Sequence, residues 1–309
     1  MATARTALSG VFPVAPTTFH DDESLDLPSQ ERVIDFLADA GVDAVCVLAN
    51  YSEQFSLTDD ERERLTERIL AHAAGRLPVI VTTSHFSARV AAERSRRAQE
   101  LGAAMVMLMP PYHGATMSVP YDRVRAYFRT VAEAIDIPIM LQDAPMSTTR
   151  LSAAELAGLA REIPNITHVK AEMPGAADKL RAVIDLAGAD LPGPCDGEEA
   201  VTLLPDLDAG AVGTMPSCAV PDVLVRVVRA YRSGDREAAV AEWERYLPMI
   251  HYENRQCGLR ATKALMHEGG IIESEAVRAP LSPLPPAVRE GLLEHARRRD
   301  PLVLRWATR

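Results

Sequence analysis

Eight short apolar runs, rich in β-branched residues, alternate along this chain with amphipathic stretches. The runs fall at 11–15, 44–48, 79–83, 105–109, 137–142, 166–170, 193–196 and 211–215. Between them, helical patterns cover 29–40, 59–74, 88–101, 121–135, 153–162, 177–187 and 198–209. A strand followed by a helix, repeated with short connections, demands a parallel sheet, because parallel neighbours need a crossover. This number of repeats fits a closed (β/α)8 barrel, the TIM barrel, better than an open sheet. Thr58 ahead of Asp59-Asp60-Glu61 is a capping-box pattern, and Ser87 and Ser152 are N-cap residue types. Helical patterns continue at 221–231, 235–250, 255–266 and 286–297, more helix than a barrel needs. The expected division is therefore a barrel over 1–233 and a C-terminal helical extension over 234–309.

The chain carries a net charge of −10, which disfavours nucleic acid and anionic membrane as partners. No apolar run is long enough to span a bilayer, and the first residues lack the apolar core of a signal peptide. The four cysteines lie far apart without a CxxC pair, as expected of reduced thiols in a cytoplasmic protein.

In such a barrel the chemistry sits at the C-terminal ends of the strands. The residues there are polar: Ala49-Asn50-Tyr51-Ser52-Glu53-Gln54, Ser84-His85-Phe86, Pro110-Pro111-Tyr112-His113, Gln142-Asp143-Ala144-Pro145, Lys170-Ala171-Glu172, Asp196-Gly197-Glu198-Glu199 and Met215-Pro216-Ser217. The sixth run ends in Lys170, with His168 and Glu172 on the same strand face. A lysine there has two readings. Its stem can lie along apolar surface with the ammonium in water, or its amine can be desolvated and ready to form a Schiff base.

The segments Gly10-Val11-Phe12-Pro13-Val14-Ala15-Pro16-Thr17, Ala74-Gly75-Arg76-Leu77-Pro78 and Pro164-Asn165-Ile166-Thr167-His168-Val169-Lys170 resemble the class I pyruvate-type aldolases and dehydratases. That family includes dihydrodipicolinate synthase and N-acetylneuraminate lyase. The resemblance covers nearly the whole chain. It implies a barrel with C-terminal helices, a homotetramer, and Lys170 as the Schiff-base lysine, with no other cofactor.

The departures narrow the expectation. The family's Gly-Thr-Thr-Gly-Glu stands here as Ala49-Asn50-Tyr51-Ser52-Glu53, its catalytic tyrosine falls on Gln142, and the arginine that follows it in the synthases falls on Ser147. The tyrosine exchanged between synthase subunits falls on His113. Lysine-pathway synthase activity is thereby rejected. Ala49–Phe55, Ser84–Ser87, Met107–Ala115, Gln142–Pro145, Asp196–Glu199 and Glu253–Arg260 instead look like the family's sugar-acid dehydratases. They imply loss of water from a 2-keto-3-deoxy sugar acid in a pentose pathway of carbohydrate metabolism. Retro-aldol release of pyruvate and a non-catalytic 2-oxo acid sensor are the alternatives.

Glu172 is the first candidate for the proton transfers, about 6–7 Å along the strand from Lys170; a salt bridge is its plainer role. Tyr51 is the second, with His85 able to titrate near neutrality. Asn50, Tyr51 and Ser52 are expected to cradle the carboxylate. Gln142 is expected to hydrogen-bond the substrate, and Asp196 and Ser217 to contact sugar hydroxyls. The eight histidines are scattered without HxH or HExxH, so no metal is expected.

Overall fold

The computed structural model describes residues 8–113 and 119–308. Among them are eight strands and eleven α-helices. The strands are β1 (Gly10–Val11), β2 (Val45–Val47), β3 (Val79–Thr82), β4 (Met105–Leu108), β5 (Ile139–Asp143), β6 (Ile166–Ala171), β7 (Gly193–Asp196) and β8 (Gly213–Thr214). They form one sheet in the order β1-β8-β7-β6-β5-β4-β3-β2. With a helix after each strand, this is the topology of the (β/α)8 barrel.

The chain divides into two compact units. Of the described residues the first holds 8–9, 80–113, 119–198 and 202–215. Its strands from β3 to β8 pair in parallel, each with the next in sequence. All residues of β4 to β7 are buried, which is why these strands read as apolar runs. Between them lie α3 (Ala88–Glu100), α4 (Tyr121–Ala132), α5 (Ala153–Glu162), α6 (Ala176–Ala187) and α7 (Leu203–Asp208). Ser152 closes the expected kind of cap on α5, a full capping box with Glu155. Ser87 does not: its side chain makes no cap bond, and its N–H donates instead to His85 Nδ1.

The helix expected at 198–209 is shorter, α7 starting only at Leu203. Glu199 and Ala200 take φ of 55° and 65°, which a right-handed helix cannot contain.

The second unit holds 10–79, 199–201 and 216–308. Here Val14, just past β1, bridges Cys46 of β2 in parallel. Its helices are α1 (Leu27–Asp39), α2 (Asp59–Ala73), α8 (Pro221–Arg232), α9 (Arg236–Tyr252), α10 (Arg260–Glu268) and α11 (Pro286–Arg297). Thr58 forms its capping box with Glu61. The continuous helix expected at 255–266 is broken: a π-turn, Glu253–Cys257, follows α9, and Gly258 at φ 61° separates it from α10.

Candidate active site

Parallel register sets the centre of the first unit's polar cluster. Gln142 of β5 is the Cα partner of Lys170 on β6, so the two side chains emerge side by side. Glu172, just past β6, meets both. Its Oε1 lies 2.5 Å from Lys170 Nζ and accepts a hydrogen bond from Gln142 Nε2 at 2.7 Å. The lysine side chain is 4% exposed and the glutamate 13%, so the amine is held inside, as the Schiff-base reading requires. Gln142 Oε1 is buried and meets no donor among the described residues. A buried amide oxygen without a partner is costly, and a substrate hydroxyl would satisfy it.

Neighbouring groups hold this arrangement. Asp143 accepts from Lys179 Nζ at 2.5 Å, and its backbone oxygen accepts from Glu172 N–H at 3.1 Å. Gly197 N–H donates to Ala171 O at 2.9 Å. A Cβ at Gly197 would stand 2.7 Å from Glu172 Cγ and 2.8 Å from Lys170 Cγ, so only glycine leaves both side chains in place. His168 shares the strand face but serves structure. Burial pushes its imidazole down to about 4, and Nε2 bonds Leu8 O at 2.9 Å.

Other expected residues have more local roles. His85 is exposed, and its Nδ1 accepts from Ser87 N–H at 2.9 Å. Asp196 is fully buried. It accepts from Thr214 Oγ1 at 2.5 Å and from Glu198 N–H at 2.9 Å, which ties the end of β7 to β8 and to the loop that follows. His113 packs against Phe86 with the rings tilted by 56° and their centroids 5.5 Å apart. The Gly114-Ala115 part of its motif lies outside the described residues.

In the second unit, Asn50–Ser52 form a 3-10 turn after β2. Asn50 Oδ1 accepts from Gln54 Nε2 at 2.6 Å, and Tyr51 is half-buried. Ser52 commits its hydroxyl to Ala15 O at 2.6 Å and its N–H to Ala49 O at 2.9 Å. Both donors of Ser52 are thus used to hold the turn. Ser217 accepts from Ala219 N–H at 3.2 Å and hydrogen-bonds Glu253.

Sequence reasoning gave Glu253 no role, yet it is fully buried in the π-turn, and burial pushes its carboxyl up to about 7. Its Oε1 has no donor among the described residues. The sequence signal was an acid within an otherwise tyrosine- and cysteine-flanked turn, easily read as a solvated face. His20, Asp26 and Glu273 are another grouping that sequence spacing hid. Their ligand-type atoms lie within 4.8 Å of one another. Asp26 is already the cap of α1, accepting from Ser29 N–H.

A (β/α)8 frame with a buried lysine near the end of β6 and an acid beside it is a framework on which a Schiff-base enzyme can be built. Residues 7–296 match the dihydrodipicolinate synthetase family, and the chain belongs to it. Within that family it is 57% identical over 298 residues to L-2-keto-3-deoxyarabonate dehydratase of Azospirillum brasilense, covering 96% of each chain. It is 30% identical to 4-hydroxy-tetrahydrodipicolinate synthase of Thermomicrobium roseum, over 93% of each. Among solved structures, dihydrodipicolinate synthase from Rhodopseudomonas palustris superposes with a TM-score of 0.85 at 28% identity, covering 94% of this chain and 97% of that one.

Proposed function

We propose that this chain is a lyase that dehydrates L-2-keto-3-deoxyarabonate to 2-oxoglutarate semialdehyde through an imine on Lys170. The observation that carries this reading is the Lys170–Glu172–Gln142 cluster, buried where β5 and β6 end side by side, with an amide on β5 in place of the family's tyrosine. The identity to the Azospirillum dehydratase supports the substrate.

The 2.5 Å ion pair holds one proton between Lys170 and Glu172. Its transfer to the carboxylate frees a neutral amine, which attacks the C2 carbonyl. The resulting carbinolamine loses water, taking that proton, and leaves an iminium. The iminium withdraws electrons and acidifies the C3 protons. Glu172, again a carboxylate, takes one of them and an enamine forms. The enamine expels the C4 hydroxyl, which leaves as water with the proton that Glu172 returns. Expulsion leaves a C3–C4 double bond conjugated to the iminium. Loss of a C5 proton turns this into an enamine carrying a C4–C5 enol, which becomes the aldehyde as its hydroxyl proton leaves and C4 gains one. Protonation at C3 restores the iminium, whose hydrolysis frees Lys170. Gln142 does not titrate; its open Oε1 accepts the hydrogen of a substrate hydroxyl. The reaction uses no cofactor beyond the lysine, and a cytoplasmic homotetramer serving pentose catabolism is the proposed setting.

Proton NMR of the products from a panel of five- and six-carbon 2-keto-3-deoxy acids tests this. The semialdehyde should appear without pyruvate. Pyruvate together with a short aldehyde would show retro-aldol cleavage instead, and no turnover with any acid would favour a sensor.

A further inference from the structure

Beside the lysine strand, β7 and α7 bring two acidic side chains together. Asp196 ends β7, Asp206 lies on α7, and both are fully buried. Asp196 accepts from Thr214 Oγ1 and from Glu198 N–H. Asp206 Oδ2 accepts from Thr202 Oγ1 at 2.7 Å, but its Oδ1 meets no N–H or O–H donor among the described residues. Its hydrogen-bonding neighbour is Asp196 itself. Two bare carboxylates cannot hydrogen-bond to each other. A single proton between them makes one O–H···O bond and removes the orphaned oxygen, the usual outcome when like charges share a buried site.

The pair stands one strand from the amine. Lys170 is the Cα partner of Cys195, and Ala171 is that of Asp196. The charge of Lys170 acts directly on Asp196.

We propose that Asp196 and Asp206 share one proton, and that Asp206, acting through Asp196, is a positioning residue that limits the negative charge beside Lys170. The amine must lose a proton before it can attack, and each buried anion near it opposes that loss. Glu172 is one such anion and the dyad supplies one more; an ionised Asp206 would add a third. Burial and the facing Asp196 carboxylate, with a smaller push from Glu198, raise Asp206 to about 8. The shared proton therefore persists through neutral pH and is lost above it. That Lys170 is the imine-forming lysine is the reading of the preceding subsection, and the charge control rests on it.

Wild type, Asp206→Asn and Thr202→Val are compared from about pH 6 to about pH 9.5 by the rate of borohydride trapping of pyruvate on Lys170 and by Tm. Asparagine keeps a donor toward Asp196 and cannot ionise. Trapping should match between wild type and Asp206→Asn up to about pH 7, and wild type should fall several-fold behind above about pH 8. Thr202→Val removes a donor that favours the ionised form, so it should move that divergence to higher pH. The native state holds a proton that the unfolded chain has released between the ordinary carboxylate value and about 8. Wild-type Tm should therefore decline through that window more steeply than that of Asp206→Asn.

Superimposable profiles for both readouts overturn the shared proton. Divergent Tm with identical trapping overturns the link to Lys170. Should Asp206→Asn not fold, an alkaline limb unmoved by Thr202→Val overturns the proposal. Absence of trapping in wild type would instead sink the imine reading and the charge control with it, while the Tm comparison still decides the proton.

Discussion

The molecule contains two buried lysine–glutamate pairs that look alike in isolation. Lys170 with Glu172 lies in the first unit, and Lys263 of α10 with Glu53 lies in the second. The second pair is saturated. Lys263 Nζ also donates to Ala276 O at 2.7 Å and lies 4.4 Å from the centre of the Phe19 ring. The other oxygen of Glu53 accepts from Arg278 N–H at 2.9 Å, while the Arg278 guanidinium covers Phe19 and pairs with Glu61. Burial lowers Lys263 to about 8 even so.

Around Lys170, by contrast, Glu172 Oε1 serves both the lysine and Gln142, and Gln142 Oε1 meets no donor among the described residues. Burial and a lowered pKa at Lys263 therefore do not by themselves leave room for a substrate. Hydrogen-bonding capacity left open for a substrate is what separates the two. The saturated pair shapes the backbone instead. Glu53, at φ 56°, is the left-handed bend that joins the Asn50–Ser52 turn to the next, and Lys263 pins it.

The comparison breaks most visibly at the amine. Lys170→Ala should abolish turnover, by more than about 10^4-fold in kcat, and abolish trapping by pyruvate and borohydride. Glu172→Gln should still form the trapped adduct, since without the facing anion the amine can lose its proton to water, but lower kcat by about 10^2–10^4-fold in steady-state assays, because no carboxylate then moves the C3 proton. Normal turnover in that variant would leave the carboxylate a mere salt bridge. Lys263→Met should do the reverse of Lys170→Ala. It should cost about 3–5 kcal/mol in urea unfolding, since it strands a buried carboxylate, while the folded protein still traps pyruvate.

The smallest effect concerns Glu253, a buried acid without a cation among the described residues. Its native value of about 7 lies above the unfolded 4.5. The native state keeps a proton there that the unfolded chain has lost, so stability falls as pH rises through that interval. Glu253→Gln should flatten this decline by about 1–3 kcal/mol in Tm-derived stability between the two values. An unchanged slope would show that the carboxyl is ionised inside the fold.

Much of this could be read from the residues in order. The sheet was legible where strands are buried on both faces. Gly193–Asp196, Ala153–Glu162 and Pro286–Arg297 have the expected bounds because glycine, capping serine and proline punctuate them. β1 and β8 are shorter than their apolar runs. Pro13 and Pro216 follow them and have no N–H to extend a ladder; each contributes only its carbonyl, to Cys46 N–H and Val14 N–H. Of the site, Lys170, Glu172 and Gln142 were legible because strand alternation and register place them together. Asp206, Glu253, Glu53 and Lys263 were not. They sit on helices or turns, where a charge reads as a solvated face, and only packing reveals the inward direction. Asp206 left one trace, an acid set among Leu203, Leu204 and Leu207.

The most direct test is peptide mass spectrometry of the protein reduced with borohydride in the presence of pyruvate. A single adduct on the peptide that carries Lys170, with the Lys263 peptide unmodified, is the predicted result. An adduct on Lys263, or none on Lys170, would contradict the assignment of the reactive amine.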